Sequence, residues 1–322
     1  MKKFQYDLGF GDPVFVRKAL AELYQPSPFN IAKNTYPDTY GDPVLVKQIR
    51  DYIYGQTGLK FHHILITSGA TQAVYVSLRV FKNINTNLQV SVNPYHYPYY
   101  QKIARSLQVN MIGDLPTRIF APTMLSNEVL LLDSPSNPVG NIQTGKIGTV
   151  FNAIWDAAYH SKIYTDHLSM FPETNVMIGS FSKTFGLAGA RLGFLATNDP
   201  SFYVVAHNYL DSMNCGSNLH GQELISDIFN KVDIDRFQLK ARKYLDDNRT
   251  EIIPLENKIG VKIPPNGMFY PMFFDKTLKD KLDESGIGYI IMQAGQSMII
   301  RLSLGQEPEI TRKAIKALMK IL

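Results

Sequence analysis

Amphipathic segments of helical period alternate with short apolar runs along this chain, and that alternation restricts the fold more than any other feature. DPVFVRKALAEL and DPVLVKQIRDYI carry apolar residues at helical spacing, whereas HILITS, LQVSVN, VLLLD, AIWDAA and VMIGSF are short β-rich runs. The pattern predicts an α/β fold, a three-layer sandwich with a mainly parallel central sheet. Beyond about residue 221 the order changes to a helical stretch, the turn KIPPNG, and then MFYPMFF, GIGYIIM and SMIIRLS. A smaller α+β domain made from both chain ends is therefore expected, with residues 41–220 as the large domain and 1–40 with 221–322 as the small one. A chain of 322 residues, 45% hydrophobic, can bury a core of that extent. It contains no tandem repeat and no low-complexity linker.

The ends of the apolar runs carry the chemistry. In SFSKTFGLAGARLGF, residues 180–194, Lys183 lies between hydroxyl residues and is followed by Arg191. A lysine amine forms a Schiff base with a carbonyl or with pyridoxal phosphate, and an apolar pocket or a nearby cation lowers its pKa enough to do so at neutral pH. Ser180 as a hydroxyl donor and Arg191 as a planar fork would then bind a phosphate. SPSNPVGN, residues 134–141, follows VLLLD, where a buried strand gives way to a loop. Ligands of α/β proteins bind at such strand ends. Asn137 could meet a phenolic oxygen or a carboxylate there. VFNAIWDAAY reads as a further strand ending at Asp156 and Tyr159. Asp156 suits a protonated pyridine nitrogen, and Tyr159 suits the ring's phenolate. Asp166 competes with Asp156, because IYTD also closes an apolar-polar run, but only Asp156 has a tyrosine three residues on. Asp166, His160 and His167 read as surface groups.

In this order the segments resemble the fold-type I pyridoxal-phosphate enzymes, the aminotransferase class I/II superfamily. The resemblance implies Lys183 as the aldimine lysine, Ser180 and Arg191 as phosphate ligands, Asn137 and Tyr159 as partners of the phenolic oxygen, and Asp156 as the partner of the pyridine nitrogen. TSGATQAVYVSL, residues 67–78, is similar to the family's glycine turn before a helix, which places Gly69, Ala70 and Thr71 at the phosphate. NPYHYPYY resembles the segment whose aromatic residue stacks on the cofactor; Tyr97 is preferred and Tyr95 is its rival. SMIIRLSLG resembles the strand whose arginine binds the substrate α-carboxylate, so Arg301, with Asn137, is the candidate. NTYPDTYGDPVLVKQIRDYI resembles the turn whose tyrosine reaches the partner subunit's site, which implies a homodimer with Tyr36 in that role. The likeness runs from about residue 9 to the end. Locally, DAAYHSKIYTDH and the lysine segment are most similar to the alliinase and plant tryptophan aminotransferase subgroup, and RLSLGQEPEITRKAIKAL to histidinol-phosphate aminotransferases. The chain departs from the family in its short middle around residues 110–128 and in the nearly absent helix after the Asn-Pro-x-Gly turn.

The activity so implied moves an amino group from an L-amino acid to a 2-oxo acid. A carbon-sulfur β-eliminating lyase, a decarboxylase or an amino-acid tailoring enzyme on the same scaffold is the alternative, and a non-catalytic cofactor-binding protein is the least favoured. Other classes find less support. The formal charge of +5 is scattered, and TRKAIKALMKIL reads as an ordinary helix with a solvated face, so no nucleic-acid partner is expected. No histidine pair stands at metal-ligand spacing with a carboxylate, so no metal is expected. The single cysteine, Cys215, fits a reducing compartment. The N-terminus has a basic start without a long apolar run, so neither a signal peptide nor a membrane helix is expected, and the cytoplasm is the default location.

Overall fold

The computed structural model describes residues 4–28, 35–113, 127–142, 152–166, 176–294 and 296–322. Among them, seven strands pair into one sheet, made of β2 (His63–Thr67), β3 (Gln89–Ser91), β4 (Asn110–Ile112), β5 (Glu128–Asp133), β6 (Asn152–Asp156), β7 (Val176–Ser180) and β8 (Gly193–Thr197). Their spatial order is β2-β8-β7-β6-β5-β3-β4. The pairs from β7 through β4 are parallel, and β8 runs antiparallel to both of its neighbours.

Successive side chains of a strand point to opposite faces, and both faces of this sheet are covered. Ile64, Ile66, Leu130, Leu132, Trp155, Met177 and Phe194 enter one core, shared with Phe15 and Val16 of α1 (Val14–Ala21), with Leu45 and Ile49 of α2 (Pro43–Thr57) and with Phe237 and Leu245 of the long helix Ile234–Ile259. Leu65, Val129, Leu131, Ile154, Ile178 and Leu195 enter the other, against α3 (Ala70–Ile84), α4 (Tyr99–Leu107) and helix Pro200–Asn214. Each such side chain, fully buried, contributes roughly 1.5–3 kcal/mol. The expected three-layer sandwich with a mainly parallel centre is what forms. The Asp-Pro pairs explain two helix starts. Asp42 accepts from the Leu45 amide at 2.8 Å, and Asp199 from the Phe202 amide at 3.0 Å, each with proline in the first turn.

A second, antiparallel sheet has the order β11-β12-β9, from β9 (Phe269–Phe273), β11 (Ile290–Ala294) and β12 (Ser297–Ser303). β1 (Tyr6–Asp7) pairs in parallel with β10 (Ile287–Gly288), so the two chain ends meet. The run GIGYIIM is thus divided between β10 and β11. The C-terminal amphipathic stretch forms helix Pro308–Met319, with Ala314, Ile315 and Leu318 buried. Among the described residues no helix is long and apolar enough to cross a membrane. Of the departure noted around residues 110–128, residues 114–126 fall outside the described residues, as do residues 143–151 after the Asn-Pro-x-Gly turn.

Candidate active site

The carboxyl ends of the parallel strands converge on one cavity of about 170 Å³. Its walls include Gly69, Ala70 and Thr71 after β2, Tyr97 after β3, Asp133 and Asn137 at the end of β5, Asp156 and Tyr159 at the end of β6, and Ser180, Lys183 and Arg191 after β7. Every residue expected at the cofactor lies here except Tyr36, which is 89% exposed and outside the lining. Tyr97, not Tyr95, lines the cavity.

At the phosphate end, Gly69 takes φ 84° as the residue capping α3, a left-handed conformation that glycine adopts without strain. A Cβ at Gly69 would meet the Arg191 guanidinium at 3.1 Å, so glycine is what lets that fork lie against the helix start. Arg191 Nη2 donates to the Ser68 carbonyl at 3.1 Å, and Nη1 to the Ala188 carbonyl at 2.9 Å. The first-turn amides of α3 have no partner within the helix and face the same corner, which makes an anion site. Ser180 caps the short helix Phe181–Thr184, its Oγ accepting from the Ser182 amide at 3.2 Å.

Lys183 sits on that short helix, and the Tyr164 hydroxyl donates to its carbonyl at 2.9 Å. Its Nζ donates to the Gly11 carbonyl and lies 5.7 Å from the centre of the Tyr159 ring. Burial pushes the amine down to about 8; Asp12 and Asp156 oppose this, while Arg301 and Arg191 assist it. Asp156 is buried and accepts from the Tyr100 hydroxyl at 2.6 Å and the Ala158 amide at 3.0 Å. Burial raises its pKa, against the Tyr100 and Ala158 hydrogen bonds and the charge of Lys183. A buried carboxylate whose bonded donors are neutral is suited to a cation that arrives with a ligand.

Arg301 extends the site beyond the cavity wall. It lies on β12, buried, with its guanidinium carbon 4.2 Å from the centre of the Phe269 ring. Nη1 donates to Asn137 Oδ1 at 3.0 Å, and Nη2 to the Gly9 carbonyl at 2.8 Å. Its Nε is buried with no hydrogen-bond partner among the described residues. Burial lowers the Arg301 pKa, opposed by Tyr159 and Tyr97. A carboxylate ligand would relieve this cost.

Two expectations change. His160 is not a surface group: it is 4% exposed, packs edge-on against Trp155 at 4.8 Å, and burial pushes its imidazole down to about 4. IYTD does not form a strand; residues 162–164 are a turn, which removes the basis for Asp166 as a strand-end rival. Asp166 itself is exposed and pairs with Arg242 at 3.1 Å. His167 lies outside the described residues. Arg17, on the helix that follows Asp12, is held by Asp12 at 2.9 Å and by the Gly186 carbonyl at 2.8 Å. Among the described residues no cluster of metal-ligating side chains occurs. Sequence reasoning missed Tyr100, Asp133 and the Gly11 carbonyl. The terminal aspartate of VLLLD was the available signal for Asp133.

A family model described as aminotransferase class I and II matches residues 5–318. Histidinol-phosphate aminotransferase of Thermotoga maritima is 23% identical over 261 residues, covering 76% of this chain and 72% of that protein. Aspartate aminotransferase of Musicola paradisiaca is 23% identical over 300 residues, covering 82% and 73%. Among solved structures, the aromatic aminotransferase of Pyrococcus horikoshii superposes with a TM-score of 0.79 at 18% identity, covering 98% of this chain and 95% of that one. The chain belongs to the aminotransferase class I and II family, enzymes that depend on pyridoxal phosphate.

Proposed function

We propose that this protein transfers the amino group of an L-amino acid to a 2-oxo acid, with Lys183 as the residue that holds the cofactor and moves the proton. The observation that carries this reading is a single cavity bringing Lys183, its amine pushed down to about 8, together with the Asp156 carboxylate and the anion cradle of Gly69, Thr71 and Arg191. The residues fit pyridoxal phosphate. The Ala70 and Thr71 amides, the Ser180 hydroxyl and the Arg191 fork would hold its phosphate, Asp156 its ring nitrogen, and Asn137 and Tyr159 its phenolic oxygen. When bound, the cofactor supplies an aldehyde that exchanges amines and a ring that accepts the electrons of a deprotonated α-carbon.

The chain's own groups do the rest. Arg301, oriented by Asn137, binds the substrate α-carboxylate and so fixes which α-bond faces Lys183. Lys183 Nζ, uncharged in an appreciable fraction near neutral pH, would accept the α-proton and return a proton to the carbon on the other side of the amine nitrogen. Asp156 would hold a proton on the cofactor's ring nitrogen, and Tyr159 and Asn137 would steady its phenolic oxygen. The sheet of β2 to β8 and the smaller sheets support a division into a domain of residues 41–220 and a second of 1–40 with 221–322, the site lying between them. Tyr36, exposed in the segment that precedes α2, would complete the partner subunit's site in a homodimer.

The test is to supply a panel of ¹⁵N-labelled amino acids with 2-oxoglutarate or pyruvate and follow the label by mass spectrometry. Label appearing in the acceptor's amino acid supports the reading. Ammonia and pyruvate formed without an acceptor would instead place the chemistry with the eliminating lyases.

A further inference from the structure

Asp133 has no part in the mechanism above, yet it lines the same cavity. It ends β5, and Asp156 ends β6 directly opposite in parallel register. Register partners in parallel strands direct their side chains to the same face, with strands about 4.8 Å apart. Both carboxyls are buried. Asp133 Oδ1 accepts from Asn93 Nδ2 at 2.6 Å, and Oδ2 from the Asn137 amide at 3.0 Å. Both donors are neutral, whereas Asp156 has the charge of Lys183 nearby. The other titratable groups facing the pair are Tyr97 and Tyr100 from the segment that begins α4, Tyr159 beyond β6, and, through Tyr159, Arg301 on β12.

We propose that Asp133 is a positioning residue that acts through Asp156: the two carboxyls form an electrostatically coupled pair at the ring-nitrogen end of the site, and Asp133 sets the pH range over which Asp156 alone carries charge. The proposal rests on reading the cavity as the cofactor site. Two buried carboxyls on adjacent strand ends do not both ionise cheaply, so one proton stays with the pair. Burial and the charge of Asp156 push Asp133 up to about 7, against the hydrogen bonds from Asn137 and Asn93. Below that pH the pair holds one negative charge, which matches one ring cation. Above it, a second negative charge enters the site. The contact with the Asn137 amide also ties the pair to the turn that presents Asn137 to Arg301.

The sign of the linkage supplies a test without cofactor. Asp133 has a folded pKa above its unfolded value of 3.8, so the folded state binds more protons between about 4 and about 7. Its stabilising contribution is full at the acid end and is lost as pH rises through that window. Melting temperatures of the cofactor-free wild type, Asp133→Asn and Asp156→Asn proteins are measured from pH 4 to 9, with pyridoxal phosphate affinity over the same range. In the wild type the melting temperature declines toward pH 7 by several degrees more than in Asp133→Asn. In Asp156→Asn the decline shifts to lower pH, because the like charge is gone. Wild-type cofactor affinity shows a severalfold step near pH 7 that Asp133→Asn lacks; a purely structural defect would lower affinity equally at every pH. Superimposable profiles for wild type and Asp133→Asn overturn the proposal. If Asp133→Asn does not fold, an unshifted decline in Asp156→Asn overturns it. Absence of any cofactor binding by the wild type would instead defeat the functional reading, and the cofactor-free melts still decide the pairing.

Discussion

Arg301 donates to Asn137 Oδ1 at 3.0 Å, so a guanidinium on the small antiparallel sheet is oriented by the turn that follows β5 of the large one. Its other Nη reaches the Gly9 carbonyl, and Lys183 reaches the carbonyl of Gly11, two residues along. One short N-terminal segment thus meets both cations that a substrate would have to engage.

Arg301→Lys should therefore weaken amino-acid binding more than it weakens the protein. A lysine offers a point charge and loses the fork that serves Asn137 and the carboxylate together. The expected loss in kcat/KM is on the order of 10²-fold, two charge-assisted hydrogen bonds at about 1.5 kcal/mol each. Steady-state kinetics with near wild-type melting behaviour checks it; an unchanged KM would remove Arg301 from substrate binding.

Lys183→Ala should abolish transamination while leaving phosphate-end affinity for the cofactor, since Arg191, Ser180 and the start of α3 are untouched. The lysine also predicts a pH effect in the cofactor-free protein. Its folded pKa of about 8 lies below the ordinary 10.5, so the unfolded state binds more protons between those values and stability rises with pH there. Lys183→Met should flatten that rise, about 3 kcal/mol at full extent, in denaturant titrations at pH 8 and pH 10.5. A rise of equal size in the variant would contradict the burial of the charge.

Asp156→Ala should cost far more rate than Asp166→Ala, roughly 10²-fold or more against little change. Asp156 is enclosed with Tyr100 and Lys183, whereas Asp166 makes a surface pair with Arg242. Single-turnover rates decide, and the reverse ranking would move the pyridinium partner to Asp166.

Gly140→Ala tests the turn that presents Asn137. Gly140 has φ 67°, and a Cβ there would strike the Asn266 carbonyl and approach Pro264 Cβ at 2.8 Å. The variant should lose roughly 1–3 kcal/mol of stability and bind amino acid more weakly, because Asn137 shifts away from Arg301. Thermal melting and substrate titration measure both; an undisturbed protein would show the turn to be adaptable.

Much of the site was legible because its groups sit where local pattern changes. Short continuous apolar runs located β5, β6 and β7, and Asn137, Asp156 and Lys183, at or just past their ends, fall where ligands bind. Tyr100 and Asp133 were harder: their roles come from contacts with Asp156 on another strand, and local spacing carries no trace of such pairings. His160 misled for a related reason. Its polar neighbours in HSKIYTDH suggest a surface loop, but Ile163 and Tyr164 are fully buried and draw the segment inward against Trp155. Tyr97 and Tyr95 could be told apart only once the segment after β3 was placed over the cavity.

Amino transfer through Lys183 is tested most directly by the absorbance of the protein loaded with pyridoxal phosphate, followed after rapid mixing with single amino acids in the absence of any 2-oxo acid. A subset of amino acids should convert the aldehyde form of the cofactor stoichiometrically to pyridoxamine phosphate, releasing one equivalent of 2-oxo acid, and Lys183→Ala should not. Return of the starting spectrum while pyruvate and ammonia accumulate, or no spectral response to any amino acid, would contradict it.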